Sequence, residues 1–185
     1  VYAASSDAVD ADYLAVAERL GALLAGAGKT LVYGGGNVGL MGACARAVHA
    51  GGGRVVGVIP EKLQGLELGY EAADEYIVTT GMRERKAIME ERADAFVALP
   101  GGLGTLEEII EVLVLKQLQY HDKPLVFLNT RGVFDPLFAF FDRLVADRFL
   151  KAGHRALFHV VDAPEAVLPL LAAYTPPPRE GKWFA

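Results

Sequence analysis

The sequence predicts an α/β fold: a single-domain, Rossmann-like, doubly wound parallel sheet of six to seven strands with helices on both faces. Three observations carry that prediction. Short apolar runs rich in β-branched residues alternate with longer segments of helical periodicity, and glycine-rich turns directly follow two of the runs. At 185 residues and 52% hydrophobic, the chain is long enough for one continuous core and too short for two.

Taken in order, Leu31–Tyr33, Val55–Ile59, Tyr76–Val78, Ala95–Leu99, Leu125–Leu128 and Phe158–Val161 read as strands buried on both faces, because they are nearly unbroken apolar runs. Around them, Tyr13–Ala27, Gly39–Ala50, Met82–Arg92, Thr105–Leu118, Phe134–Asp147 and Ala163–Ala173 place apolar residues at helical spacing. Gly26 and Gly28 close the first helix, Gly51-Gly52-Gly53 the second, and Asp162 with Pro164 opens the last. One domain is expected over residues 1–174. The run Pro176-Pro177-Pro178 stops regular structure, so residues 175–185 are expected as a tail, extended over the surface or mobile.

A formal charge of -5 leaves no surplus of Lys and Arg to neutralise a phosphate backbone, which argues against nucleic acid as a partner. Cys44 is the only cysteine, so an intramolecular disulfide is excluded and a reducing compartment, the cytoplasm, is expected. In this reading Cys44 is a small core residue. No apolar run reaches membrane-spanning length, so no membrane partner is expected. His49, His121, His154 and His159 lack the spacing of a metal site, and none is expected. Trp183 and Phe184 are candidates to cap a surface groove.

The first glycine loop, Gly34-Gly35-Gly36-Asn37-Val38-Gly39, matches the dinucleotide fingerprint at Gly34, Gly36 and Gly39. A nicotinamide oxidoreductase is therefore one reading. It lacks its acid: the next strand ends Val58-Ile59-Pro60, with Glu61 only after the proline. The second loop, Pro100-Gly101-Gly102-Leu103-Gly104-Thr105, also follows a strand, so both project from the carboxyl edge of the sheet, where such folds bind ligands. One small phosphorylated substrate held between two backbone cradles accounts for both loops, with positive charge supplied by Met82-Arg83-Glu84-Arg85-Lys86.

On the helix expected from Thr105, Leu106, Ile109, Ile110 and Leu113 form the sheet-facing stripe, while Glu107, Glu108 and Glu111 lie away from it. Glu107 and Glu108 point about 100° apart, so they should not share a role. Val112, Leu115 and Leu118 interrupt the polar side, and a second copy of the chain is the natural cover for that stripe. A homodimer is expected.

Together, Gly34 to Gly42, Gly57-Val58-Ile59-Pro60, Met82 to Lys86, Pro100 to Glu108, Gln117 and His121-Asp122-Lys123-Pro124 resemble the Lonely Guy (LOG) family of cytokinin riboside 5′-monophosphate phosphoribohydrolases. The resemblance runs to about Ala173 and excludes the tail. It implies hydrolysis of the N-glycosidic bond of an N6-substituted adenosine 5′-monophosphate, giving free base and ribose 5-phosphate, with no cofactor. By the same resemblance Arg85 and Glu108 are catalytic, and Glu67, Lys86, Gly35, Gly36, Gly101, Gly102, Leu103, Gly104, Thr105, Leu106 and Glu107 contact the substrate. Breaking the bond builds positive charge on the ribose, so a carboxylate at the anomeric carbon and a phosphate cradle serve opposite ends of one substrate.

The chain departs from the family in reading Ala3-Ala4-Ser5-Ser6 where Cys-Gly-Ser-Ser is usual, and in placing Val114 and Leu115 where threonine and tryptophan are common. Members are often labelled lysine decarboxylases, yet no lysine here has the setting of a pyridoxal Schiff base. The other readings are a nucleotide-binding module without turnover and a nucleosidase of other purine monophosphates.

Overall fold

The computed structural model describes residues 1–64 and 69–182. In chain order it contains α1 (Ala11–Gly26), β1 (Leu31–Tyr33), α2 (Gly39–Ala50), β2 (Val55–Pro60), α3 (Glu61–Gln64), β3 (Glu75–Thr79), α4 (Met82–Arg92), β4 (Phe96–Ala98), α5 (Leu103–Gln117), β5 (Leu125–Leu128), α6 (Asp135–Ala146), β6 (His159–Val161) and α7 (Val167–Ala173). Every strand pairing is parallel, and the alternation of strand and helix is that of a doubly wound fold.

The strands divide into two three-stranded sheets, β1-β2-β3 and β4-β5-β6, where the sequence suggested one continuous sheet. The reason lies at the seam. Residues 1–4 run alongside β4: the Tyr2 amide donates to the Val97 carbonyl at 2.9 Å, and the Leu99 amide donates to the Tyr2 carbonyl at 2.9 Å. On the other side the Val1 nitrogen donates to the Val32 carbonyl at 2.7 Å. A segment this short forms a single bridge, Tyr2 to Ala98, rather than a ladder.

Period-two alternation sends successive strand residues to two cores. Val55, Val97, Val126 and Leu128 face α1, α2 and α7 with Leu20, Leu40 and Val167. Val56, Val58, Phe96, Leu125 and Phe127 face α4, α5 and α6 with Met89, Ile109 and Phe141. Cys44 lies in the first core at 1% exposure, as expected. The α5 helix begins at Leu103 rather than Thr105, with Gly102 as its N-cap. The last expected helix is split into a 3-10 turn, Pro164–Ala166, and α7.

Residues 175–182 carry no helix or strand, and Arg179 ties them to Asp122 at 2.5 Å. Trp183 and Phe184 lie outside the described residues. No helix among the described residues is long and apolar enough to cross a membrane.

Candidate active site

Three carboxyl-edge features meet: the loop after β1, the start of α4 and the start of α5. Residue Arg85, in the first turns of α4, is turned inward and only 5% exposed. Its Nε donates to the Val58 carbonyl of β2 at 3.0 Å, and its Nη1 donates to Oε1 of Glu108 at 2.6 Å. Its Nη2 lies over Gly34, where a Cβ would stand 2.0 Å away. The first of the three glycines after β1 thus leaves room for a guanidinium.

Glu108 is itself buried at 6% exposure, although periodicity grouped it with the outward glutamates. Burial pushes its carboxyl above the ordinary carboxylate range, and the charge of Arg85 pulls against that rise. Beside this pair, Lys86 donates to Glu107 and, at 2.8 Å, to Glu111. Burial works to lower the pKa of Lys86, but its hydrogen bonds to Glu107 and Glu111 outweigh it, so the net shift is upward and the ammonium persists. Glu107 and Glu111 remain exposed. The two adjacent glutamates therefore hold different partners, as their angular separation required.

The first turn of α5 is open. Gly102 caps it without a side-chain hydrogen bond, and the first helical bond from this cap runs from the Leu106 amide to the Gly102 carbonyl at 3.0 Å. A Cβ at Gly102 or Gly104 would meet nothing within 4 Å, so both face free space. Gly101 differs: a Cβ there would sit 2.0 Å from Oγ1 of Thr105, which is buried. The amides of Leu103, Gly104 and Thr105 precede the helix's own hydrogen bonding, the arrangement by which a helix start attracts an anion.

The start of α2 is not open in the same way as the start of α5. Asp7 accepts a hydrogen bond from the Gly39 amide at 2.7 Å, and the Ala4 carbonyl accepts one from the Met41 amide at 3.2 Å. A Cβ at Gly39 would lie 2.6 Å from the Ala4 carbonyl oxygen. The position a dinucleotide pyrophosphate would need is filled by residues 4–7 of the chain itself, which removes the structural basis of the nicotinamide reading. Gly35 and Gly36 are buried and follow Gly34, over which Arg85 lies.

Other expected positions fall variously. Leu103 is 86% exposed at the mouth, whereas the Leu106 side chain packs into the core behind α5. Glu67 lies outside the described residues. Gln117 contacts His154 at 3.0 Å, and His121 donates to the Val112 carbonyl at 2.9 Å, so both brace the far end of α5. Val112 is 2% exposed and belongs to the core, which removes it from the expected outer stripe; Leu115 is half-buried, Leu118, the C-cap of α5, is exposed, and Val114 is exposed beside them. Two parts of the site escaped sequence reasoning: the Val58 carbonyl, which a side-chain pattern does not report, and Asp7, which has no spacing signal.

The family described as possible lysine decarboxylase matches residues 41–171. The probable cytokinin riboside 5′-monophosphate phosphoribohydrolase LOGL9 of Oryza sativa subsp. japonica is 49% identical over 166 residues, covering 90% of this chain and 72% of that protein. The cytokinin riboside 5′-monophosphate phosphoribohydrolase LOG of the same plant is 45% identical, over 90% of this chain and 68% of its own length. Among solved structures, the molybdenum cofactor binding protein of Rippkaea orientalis superposes with a TM-score of 0.71 at 26% identity, covering 92% of this chain and 93% of that one.

Proposed function

The chain belongs to the family described as possible lysine decarboxylase, whose curated relatives are named cytokinin riboside 5′-monophosphate phosphoribohydrolases, and we propose that it is such a hydrolase. It cleaves the N-glycosidic bond of adenosine 5′-monophosphates, N6-substituted ones included, to free base and ribose 5-phosphate. The observation that carries this reading is the buried Arg85–Glu108 pair beside the open first turn of α5.

The substrate phosphate sits on the amides of Leu103, Gly104 and Thr105, which places the ribose against Glu108. As the C1′–N bond breaks, its electron pair leaves with the base and positive charge grows on the sugar. The Glu108 carboxylate stabilises that charge and accepts a proton from the water that adds to C1′. Arg85 opposes the upward push of burial on Glu108 and so favours its carboxylate form, and the departing base takes up a proton. Lys86 and Glu107 line the mouth, and Gly35 and Gly36 contribute through the seat of Arg85.

Decarboxylation of lysine fits poorly. A Schiff-base lysine is made reactive by a lowered pKa, whereas that of Lys86 is raised. Burial does bring Lys116 down to about 8, but it lies at the other end of α5, hydrogen-bonded to Tyr174 at 2.8 Å.

The protein acts in the cytoplasm as a homodimer, with Val114 of α5 and its C-cap Leu118, 39% and 41% exposed, beside half-buried Leu115, as the apolar stripe that pairs. Light scattering at micromolar concentration tests the dimer, and a monomer refutes it. Incubation with AMP, N6-isopentenyladenosine monophosphate and the matching nucleosides, followed by chromatography, tests the activity. Free base from the monophosphates, with little from the nucleosides, is expected. Nucleotide bound without base released would make the chain a binding module instead.

A further inference from the structure

Behind the first glycine loop, on the side of the sheet away from Arg85, three polar side chains form a line that the proposed reaction does not use. His49, near the end of α2, has Nδ1 2.8 Å from the Tyr70 hydroxyl and Nε2 2.9 Å from Oδ2 of Asp74. That same Asp74 oxygen accepts a hydrogen bond from the Val55 amide at 2.7 Å, so the line is anchored on the first residue of β2. The His49 and Tyr70 rings are also in contact, with centroids 5.3 Å apart.

At its other end the line reaches the loop. The Tyr70 amide donates to the Gly35 carbonyl at 2.8 Å, and Gly69 is bridged to Gly36. Gly35 has a φ of 79°, a conformation that favours glycine, and its Cα lies 3.1 Å from where a Cβ on Gly57 would be. Glycine reaches this region as readily as its mirror region, so its own backbone does not fix the loop and the surrounding contacts must. One face of this loop carries the Arg85 guanidinium over Gly34, and the opposite side is held by Tyr70.

We propose that His49 is a positioning residue: through the Tyr70 hydroxyl it latches the 69–70 segment onto Gly35 and Gly36, and so fixes the seat on which the Arg85 guanidinium rests. The consequence for catalysis rests on the hydrolase reading above, but the latch itself does not. His49 has two distinct functions to separate, since Nδ1 serves the latch and Nε2 serves only the Asp74 anchor. An asparagine at this position carries its amide where Nδ1 stands and still reaches Tyr70. A glutamine carries its amide farther out and reaches Asp74.

Amide hydrogen exchange read by NMR at Tyr70, with the β2 amides as internal reference, follows the latch without any substrate. His49→Leu and Tyr70→Phe should each speed exchange at Tyr70 about tenfold or more while β2 is unchanged, as expected of a local opening. His49→Asn should restore protection and His49→Gln should not. In base release from N6-isopentenyladenosine monophosphate, the unlatched variants should lose kcat by about tenfold with KM within about twofold, because the α5 cradle is untouched and only Arg85 is displaced.

Unchanged exchange at Tyr70 in both His49→Leu and Tyr70→Phe overturns the proposal. So does rescue by His49→Gln and not by His49→Asn, which would make His49 a prop for Asp74 alone. If the wild-type protein releases no base while the exchange pattern holds, the hydrolase reading fails and the latch stands. Faster exchange with full kcat removes the link to Arg85.

Discussion

A methyl group at position 34 would stand 2.0 Å from Nη2 of Arg85, 3.2 Å from its Cζ and 3.0 Å from Sδ of Met41. Non-bonded heavy atoms settle at about 3.5 Å or more, so in Gly34→Ala something must retreat by roughly 1.5 Å. Met41 ends in a flexible thioether and turns aside. Arg85 has no such freedom, because its Nε is held by Val58 at 3.0 Å and its Nη1 by Glu108 at 2.6 Å, and a shift of that size breaks at least one bond. Gly34 is not among the glycines of positive φ, so alanine brings a clash without backbone strain. Misplacing a reacting group by about 1 Å costs on the order of 10²-fold, so kcat should fall by at least about that factor. KM should move far less, since the proposed phosphate cradle lies on another element. Steady-state release of base from N6-isopentenyladenosine monophosphate reads both constants, and Gly26→Ala, where the added Cβ meets nothing within 4 Å, is the control. A Gly34→Ala protein within about threefold of wild type in kcat would refute the claim that this glycine seats the arginine.

Three further outcomes are expected. Glu108→Gln should lower kcat by about 10²-fold or more while nucleotide still binds, as for loss of one electrostatic stabiliser, and calorimetry on AMP separates the two effects. Burial raises the pKa of Glu108, with Arg85 opposing, so protonation should silence wild-type turnover on an acid limb lying above the ordinary glutamate value of 4.5. The small residual activity of the glutamine variant should show no such limb, and an unchanged limb would assign it elsewhere. Gly104→Val, at a glycine that faces open space, should raise KM for the monophosphate and leave the poor cleavage of the nucleoside unaltered; equal losses on both would detach Gly104 from the phosphate. Finally, Lys116 is 3% exposed and burial lowers its pKa from 10.5 to about 8. Below the folded value both states carry the charge, and the folded state bears the whole cost, about 3 kcal/mol from a shift of this size. Between the two values the unfolded chain binds more protons, so stability rises with pH. Lys116→Met should therefore be more stable than wild type at pH 7 in urea denaturation and lose its advantage toward pH 10.5; a constant difference across that range would contradict the assignment.

Local signals sufficed for the elements whose ends are fixed by their own residues. Helices Gly39–Ala50 and Met82–Arg92 have the bounds that sequence periodicity suggests, the first stopped by Gly51-Gly52-Gly53. The seam between the two sheets was not legible, because it depends on a four-residue segment whose partners lie far away in sequence at Val32, Val97 and Pro100. The glycine loops were legible as loops, but what approaches each of them was not. Composition reports that backbone can be approached closely, but not by what. At α5 the space beside Gly102 and Gly104 is open, at Gly34 it holds a guanidinium, and at Gly39 it holds residues 4–6.

The burial of Glu108 marks the limit most clearly. Periodicity within α5 assigns Glu107, Glu108 and Glu111 to one side of the helix, and two of them do stay exposed, sharing Lys86. What draws the third inward is Arg85 on α4, and no pattern within either helix encodes that meeting. Energetics explain why the pair stands apart from its neighbours. The pairs of half-buried Lys86 with the exposed Glu107 and Glu111 contribute less, because water and ions screen the glutamate side of each. A buried pair repays its desolvation only with close geometry and further hydrogen bonds, and apolar residues of the same volume often serve a core as well or better. Here Nε of Arg85 has found Val58, but Glu108 still has its pKa pushed up, so its desolvation is not fully offset within the protein. A buried carboxylate of this kind gains its compensation when positive charge appears beside it. In the proposed reaction that condition arises at the anomeric carbon of a nucleotide whose phosphate would rest on the neighbouring amides of the same helix.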